Sequence, residues 1–152
     1  MESLTESLIR IYQRDLDQLE KELQLYPDEA SVWVVSGDIK NPGGNLCLHI
    51  CGNLRTYIGK ILGGSGYVRN RDLEFSAKNI PIQELCDAIR ETRDVITITL
   101  QRLQPSDLEK VYPTEELGYP MTTGFFLIHL ASHLNYHRGQ INYHRRMLTN
   151  HS

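Results

Sequence analysis

An all-α fold is predicted by three observations. Four segments space their apolar residues three and four apart, which lines up one face of a helix. No segment sustains the apolar–polar alternation of a half-buried strand. Cap, proline and glycine signals at Pro27, Asn41-Pro42 and Gly63-Gly64 fall between the periodic segments. The chain of 152 residues is long enough for a single domain over residues 1–152 with a substantial core.

The first segment, residues 4–26, puts Leu4, Leu8, Ile11, Tyr12, Leu19 and Leu23 on one stripe and leaves a charged, solvated face opposite. Ser3-Leu-Thr-Glu6 is a capping-box signal at its start, and Pro27 stops it. The second segment follows Asn41-Pro42 and ends before Gly63-Gly64, with Leu46, Ile50, Leu54, Tyr57, Ile58 and Ile61 on its buried stripe. His49 lies on that stripe, and Asn53 is one turn further on. Gly52 and Gly59 sit inside this helix, each costing about 1 kcal/mol relative to alanine. Glycines placed there predict close approach of another backbone. The third segment spans residues 82–103 through Leu85, Ile89, Ile96 and Leu100. The fourth starts at residue 122 or 123 and runs to 148. Its run His144-Arg145-Arg146 reads as a solvated helix end that suits the negative end of the dipole.

Two connections are long. Residues 63–79 make a loop of roughly 17 residues where bundle neighbours are joined by about 2–8. It carries Tyr67-Val-Arg69-Asn70-Arg71-Asp72-Leu-Glu74-Phe75. It reads either as a functional loop or as a crossover strap pinned by Tyr67 and Phe75. Residues 104–119, with Pro105, Tyr112 and Pro113, form the second.

Composition excludes several classes. The 16 basic residues are dispersed and outnumbered by 19 acidic ones, which argues against a nucleic-acid surface. No apolar run approaches the roughly 20 residues that span a bilayer, and Met1-Glu-Ser-Leu-Thr-Glu6 lacks the basic-then-apolar pattern of a signal peptide. A cytoplasmic protein is expected. The 3 cysteines are an odd number in a chain that needs no disulfide staples. Cys47 and Cys51 each lie about 200° around the helix from His49 and read as small packing residues.

The histidines carry the chemistry. His129, His133 and His137 follow one another at four-residue spacing in His129-Leu-Ala-Ser-His133-Leu-Asn-Tyr-His137-Arg138-Gly139-Gln140. Adjacent members of this series point the same way and can share an ion. All three cannot, because His129 and His137 are roughly 12 Å apart along the axis and ligands of one metal sit about 2.1 Å from it. One His-x-x-x-His pair therefore binds, and a third ligand comes from elsewhere. His49 is the only histidine distant in sequence that also lies on an apolar helical face. Phe125, Phe126, Leu130, Leu134 and Ile141 surround the series, and unpaired imidazoles buried among them would be costly.

Asn45-Leu-Cys-Leu-His49-Ile-Cys-Gly52-Asn53-Leu54, Arg69-Asn-Arg71-Asp-Leu-Glu74-Phe75 and His133-Leu-Asn-Tyr-His137-Arg-Gly139-Gln140-Ile141 resemble the DinB superfamily, specifically its DUF1572 branch, over nearly the whole chain. The resemblance implies a four-helix bundle with long crossover connections and frequent homodimers. It also implies a metal held by one histidine of the second helix and the His-x-x-x-His pair of the fourth. On that basis the ligands are His49, His133 and His137, and His129 is an additional core or site-adjacent residue.

Three neutral imidazoles leave a divalent metal at least one open position, as catalytic sites do. Their lack of charge favours a bound thiolate or hydroxide, and zinc and nickel both suit such ligation. Superfamily members include transferases that use low-molecular-weight thiols such as mycothiol and bacillithiol, and thiol-dependent isomerases. The resemblance therefore implies a metal-dependent thiol S-transferase acting on a small-molecule electrophile. The alternatives are a non-catalytic metal-binding stress or interaction protein and a metal-dependent hydrolase. No Asp or Glu adjoins the ligands in sequence, so no general base is identified. Asn53 and Gln140 are placed to orient ligands or water, and Tyr57 and Tyr136 to line a cleft; ordinary core hydrogen bonding is the competing role for each.

Overall fold

A computed structural model describes residues 1–148, so His151 lies outside the described residues. The described chain is helical, with no strand and only the isolated bridges Ser36–Ile39 and Val111–Thr122. No described helix is long and apolar enough to cross a membrane.

Helix α1, Leu4–Gln24, starts with the expected capping box: the Ser3 hydroxyl accepts from the Glu6 amide, and the Glu6 carboxylate accepts from the Ser3 amide. Leu8, Tyr12, Leu16, Leu19 and Leu23 are buried, whereas Leu4 is half exposed at the start. Its polar face is less solvated than predicted. Arg90 and Arg93 of the helix α4, Ile82–Gln101, pair with Glu20 and Asp17. The buried Asp15 carboxylate accepts from Asn135 of α6, Thr123–Leu148, at 2.6 Å.

Helix α2, Gly43–Leu54, continues into one π-helical stretch, Arg55–Lys60, closed by wide hydrogen bonds from Ile61 to Thr56 and from Gly63 to Ile58. Such stretches are frequent at functional sites. The glycines of α2 and of the π-helical stretch make room for side chains, not for the expected neighbouring backbone. A Cβ on Gly52 would overlap the Glu74 carboxylate, and one on Gly59 would lie 2.7 Å from a Val95 methyl. At the start of α2, a Cβ on Gly43 would overlap the Tyr26 hydroxyl, and one on Gly44 would press into the Trp33 ring.

Helices α1 and α2 each pack against both α4 and α6 around one core, and Tyr12 ties α1 to α6 by donating to the Leu127 carbonyl at 2.6 Å. Cys47, Cys51 and Cys86 are free and buried, as packing residues would be.

The 63–79 connection folds into a strap containing helix α3, Arg71–Ser76, which packs on α2. Asn70 caps α3 by accepting from the Leu73 amide. The Asn45 amide reaches up from α2 to the carbonyls of Glu74 and Ala77, at 3.0 and 2.9 Å, and accepts from Lys78. The second connection forms the short helix α5, Pro105–Glu109, and Tyr112 pins the rest of that connection by donating to the Tyr57 carbonyl at 2.6 Å.

The end of α6 departs from expectation. His144 is buried at 5% exposure, not solvated. One ring nitrogen meets the Tyr26 hydroxyl at 2.6 Å, and the other meets the Val34 carbonyl at 2.8 Å. Arg145 pairs with Glu22 of α1 at 2.8 Å. A loop carbonyl and an α1 carboxylate, both distant in sequence, thus draw inward two residues that helix-end electrostatics would leave in water, while Arg146 stays exposed.

Candidate metal centre

His49 projects from the middle of α2 toward the turn of α6 that carries His133 and His137. One nitrogen from each of these imidazoles lies within 4.8 Å of the others, and the trio can hold a metal ion. The rings meet edge to face, with centroids 5.2 Å apart for His49–His133, 5.1 Å for His49–His137 and 4.4 Å for His133–His137. On α6 the Nε2 atoms of His133 and His137 stand 3.1 Å apart. Two nitrogens each about 2.1 Å from a tetrahedral ion would be separated by roughly 3.4 Å, so the pair is spaced for shared ligation.

Hydrogen bonds orient two of the rings. His137 Nδ1 lies 2.7 Å from Gln140 Oε1, an acceptor, so Nδ1 carries the proton and the Nε2 lone pair faces His133. His49 Nδ1 lies 3.1 Å from Glu74 Oε1, which leaves its Nε2 free in the same way. His133 Nδ1 is buried without a hydrogen-bond partner among the described residues. Burial, followed by the neighbouring His137 and His49, pushes the His133 pKa down to about 4. Burial likewise lowers that of His137, against the opposing bond to Gln140. Both are neutral at pH 7, the state a metal ligand requires. Donor type, spacing and protonation state all fit a divalent ion.

The other sequence candidates divide. Gln140 touches His137 and also donates to the Tyr136 hydroxyl at 3.2 Å, while the exposed Tyr136 ring packs edge-on to His137. Asn53 is buried, and its Oδ1 has no hydrogen-bond partner among the described residues. Tyr57 packs against Phe126, with the Arg69 guanidinium 5.8 Å from its ring. His129 stays outside the trio, stacked on Phe126 with centroids 5.8 Å apart. A cleft of about 670 Å³ opens beside His49 and His137, with Tyr136 and Gln140 on one wall and Leu46 and Phe75 on another. Lys40 and Arg71 also line it, whereas Tyr57 and His129 do not.

Sequence reasoning missed Glu74 and Arg69. Glu74 comes from α3, is 5% exposed, and receives two bonds from Arg69: Nε to Oε2 at 2.8 Å and Nη2 to Oε1 at 3.0 Å. Burial opposes its charge, but the bonds from His49 and Arg69 outweigh that and hold the carboxyl below its ordinary range. Gly52 was the available signal. It lies one turn from His49, and its missing side chain leaves the space the carboxylate fills.

A model of the family described as "Protein of unknown function (DUF1572)" matches residues 3–152. No curated protein matches the chain. The family match takes in all three histidines, the α3 strap and every helix described above, and the protein belongs to the DUF1572 family.

Proposed function

We propose that the protein is a metal-dependent thiol S-transferase of the DinB type. In this reading it is a four-helix bundle with long crossover connections, works in the cytoplasm as a homodimer, and holds zinc or nickel through His49, His133 and His137. The observation that carries this reading is one nitrogen from each of three imidazoles brought within 4.8 Å of the others at the edge of a cleft large enough for a small molecule. A divalent ion held there would act as a Lewis acid and lower the pKa of a thiol bound to it. The chain's own residues do the rest. Gln140 holds the His137 ring, while Leu46 and Phe75 give the cleft an apolar wall for the body of an electrophile. Lys40 and Arg71 outnumber the one carboxylate, Asp38, on the same cleft and make no ion pair among the described residues, which suits an anionic thiol cofactor or substrate.

Hydrolysis is the second reading: both oxygens of Glu74 are engaged by Arg69 and are not free to serve as a general base, whereas the Asp38 carboxylate lines the cleft and makes no ion pair among the described residues. The test is conjugation of a low-molecular-weight thiol to a general electrophile at neutral pH. Bacillithiol, mycothiol, glutathione and coenzyme A would each be tried with the metal-loaded protein and with His137→Ala. Acceleration that disappears in His137→Ala is expected. Acceleration persisting in that variant refutes metal dependence. No acceleration with any thiol leaves a non-catalytic metal-binding protein as the reading.

A further inference from the structure

We propose that Glu74, clamped by Arg69, is a positioning residue: it fixes His49 in the Nδ1–H tautomer and so aims the His49 Nε2 lone pair at the space between His133 and His137. The proposal rests on the reading of His49 as a ligand, but not on any turnover. His49 Nδ1 has two polar neighbours, the Glu74 Oε1 at 3.1 Å and the Arg69 Nη2 at 3.5 Å. They demand opposite things of the ring. A carboxylate oxygen can only accept and requires a proton on Nδ1, whereas a guanidinium can only donate and requires a lone pair there. The carboxylate contact is the shorter, and the guanidinium is already committed to Glu74 through two better bonds. The proton therefore sits on Nδ1, and Nε2 is left to bind.

Much of the strap serves to hold this one carboxylate. Asn70 caps α3, and Asn45 bonds the Glu74 carbonyl to α2 from below. Gly52 vacates the space beside His49, and the Phe75 ring lies against the His49 ring with centroids 4.9 Å apart. Arg69 lets a carboxylate be buried at low cost, since an unpaired one would be expelled or protonated. The loop between α2 and α4 is thus the second wall of the histidine site, not a mere connection.

The experiment reads tautomer and affinity separately. Nitrogen-15 NMR of the metal-free protein is expected to show His49 as a single Nδ1–H tautomer. Glu74→Ala should shift it toward Nε2–H, and Glu74→Gln, which keeps an acceptor oxygen, should restore much of the original state. Cobalt affinity should fall about 10- to 100-fold in Glu74→Ala and less in Glu74→Gln. Circular dichroism confirms that each variant is folded, and the isosteric Glu74→Gln keeps the test informative if Glu74→Ala does not fold. An unchanged tautomer in the folded variants overturns the proposal, as does a shifted tautomer with undiminished cobalt affinity. A wild-type protein that binds no cobalt, yet shows the tautomer change, refutes the metal reading while supporting the control of His49 by Glu74.

Discussion

His133 and His137 present their Nε2 atoms to each other at 3.1 Å, one helical turn apart, with His49 arriving from the facing helix to close the group. Such an arrangement has a sharp mutational signature. Alanine at His49, His133 or His137 should lower metal occupancy at least about tenfold, in line with the loss of one of three ligands. His129→Ala should leave occupancy intact, because that ring stacks on Phe126 outside the trio. Metal analysis of purified variants decides it. Full occupancy in His49→Ala would refute the three-histidine site, and loss in His129→Ala but not in His137→Ala would place the pair one turn earlier.

Gly52→Ala should run against the usual rule for helices. Alanine in a helix interior normally stabilises by about 1 kcal/mol over glycine. Here the added Cβ overlaps the Glu74 carboxylate, and overpacking of that kind costs about 1–3 kcal/mol. The expected outcome is a lower melting temperature together with weaker cobalt binding, since the carboxylate beside His49 must move. A variant more stable than the parent, with unchanged affinity, would show that the strap yields freely.

The helices and the histidine pattern were legible because both depend on local spacing. Apolar periodicity marked α6 from Thr123 onward, and the capping box at Ser3 set the start of α1. Contacts between residues distant in sequence were not legible. Glu74 is 25 positions from His49, and nothing local marks it as a partner rather than one more acid in a charged loop. The Arg69–Phe75 motif entered the family resemblance without a role, and Gly52 gave a second hint, but a glycine reports only that something comes close, not whether it is a backbone or a carboxylate. His144 shows the same limit. Its neighbours Arg145 and Arg146 suggest solvent, while the groups that bury it, Tyr26 and Val34, lie 118 and 110 residues away.

His144 should make stability depend on pH. Burial lowers its pKa below the ordinary value of 6.5, against an opposing bond from the Val34 carbonyl. Nε2–H donates to that carbonyl and Nδ1 accepts from the Tyr26 hydroxyl, so a second proton on Nδ1 would face the Gly43 amide and force the Tyr26 hydroxyl to turn its own proton toward the Ile141 carbonyl. Below pH 6.5 the unfolded chain takes up that proton and the folded chain resists it. The stabilisation is therefore complete above about pH 6.5 and is lost as pH falls toward the depressed folded-state value. In chelator-treated protein, His144→Ala should cost about 1–3 kcal/mol at pH 8, where Tyr26 and Val34 lose their partner, and the gap to wild type should narrow by pH 5.5. Chemical denaturation at the two pH values measures it. A gap independent of pH would mean that His144 takes up its proton without cost in the folded state.

Assembly through α6 is the last expectation. Phe125 and Ile128 are about half exposed on one side of α6, and Tyr136, Tyr143 and Met147, which line the cleft, follow on the same side. Phe125 and Ile128, outside the cleft, mark the start of that side as an interaction face. Two copies laid against each other by a two-fold axis would cover it with itself, the usual geometry of small homo-oligomers. Light scattering should then give about twice the 17.5 kDa chain mass. Phe125→Glu combined with Ile128→Glu, outside the cleft lining, should give a monomer that still binds cobalt. A wild-type protein that remains monomeric at every concentration refutes the dimer. A double variant that stays dimeric while cobalt binding is intact moves the interface off this face of α6.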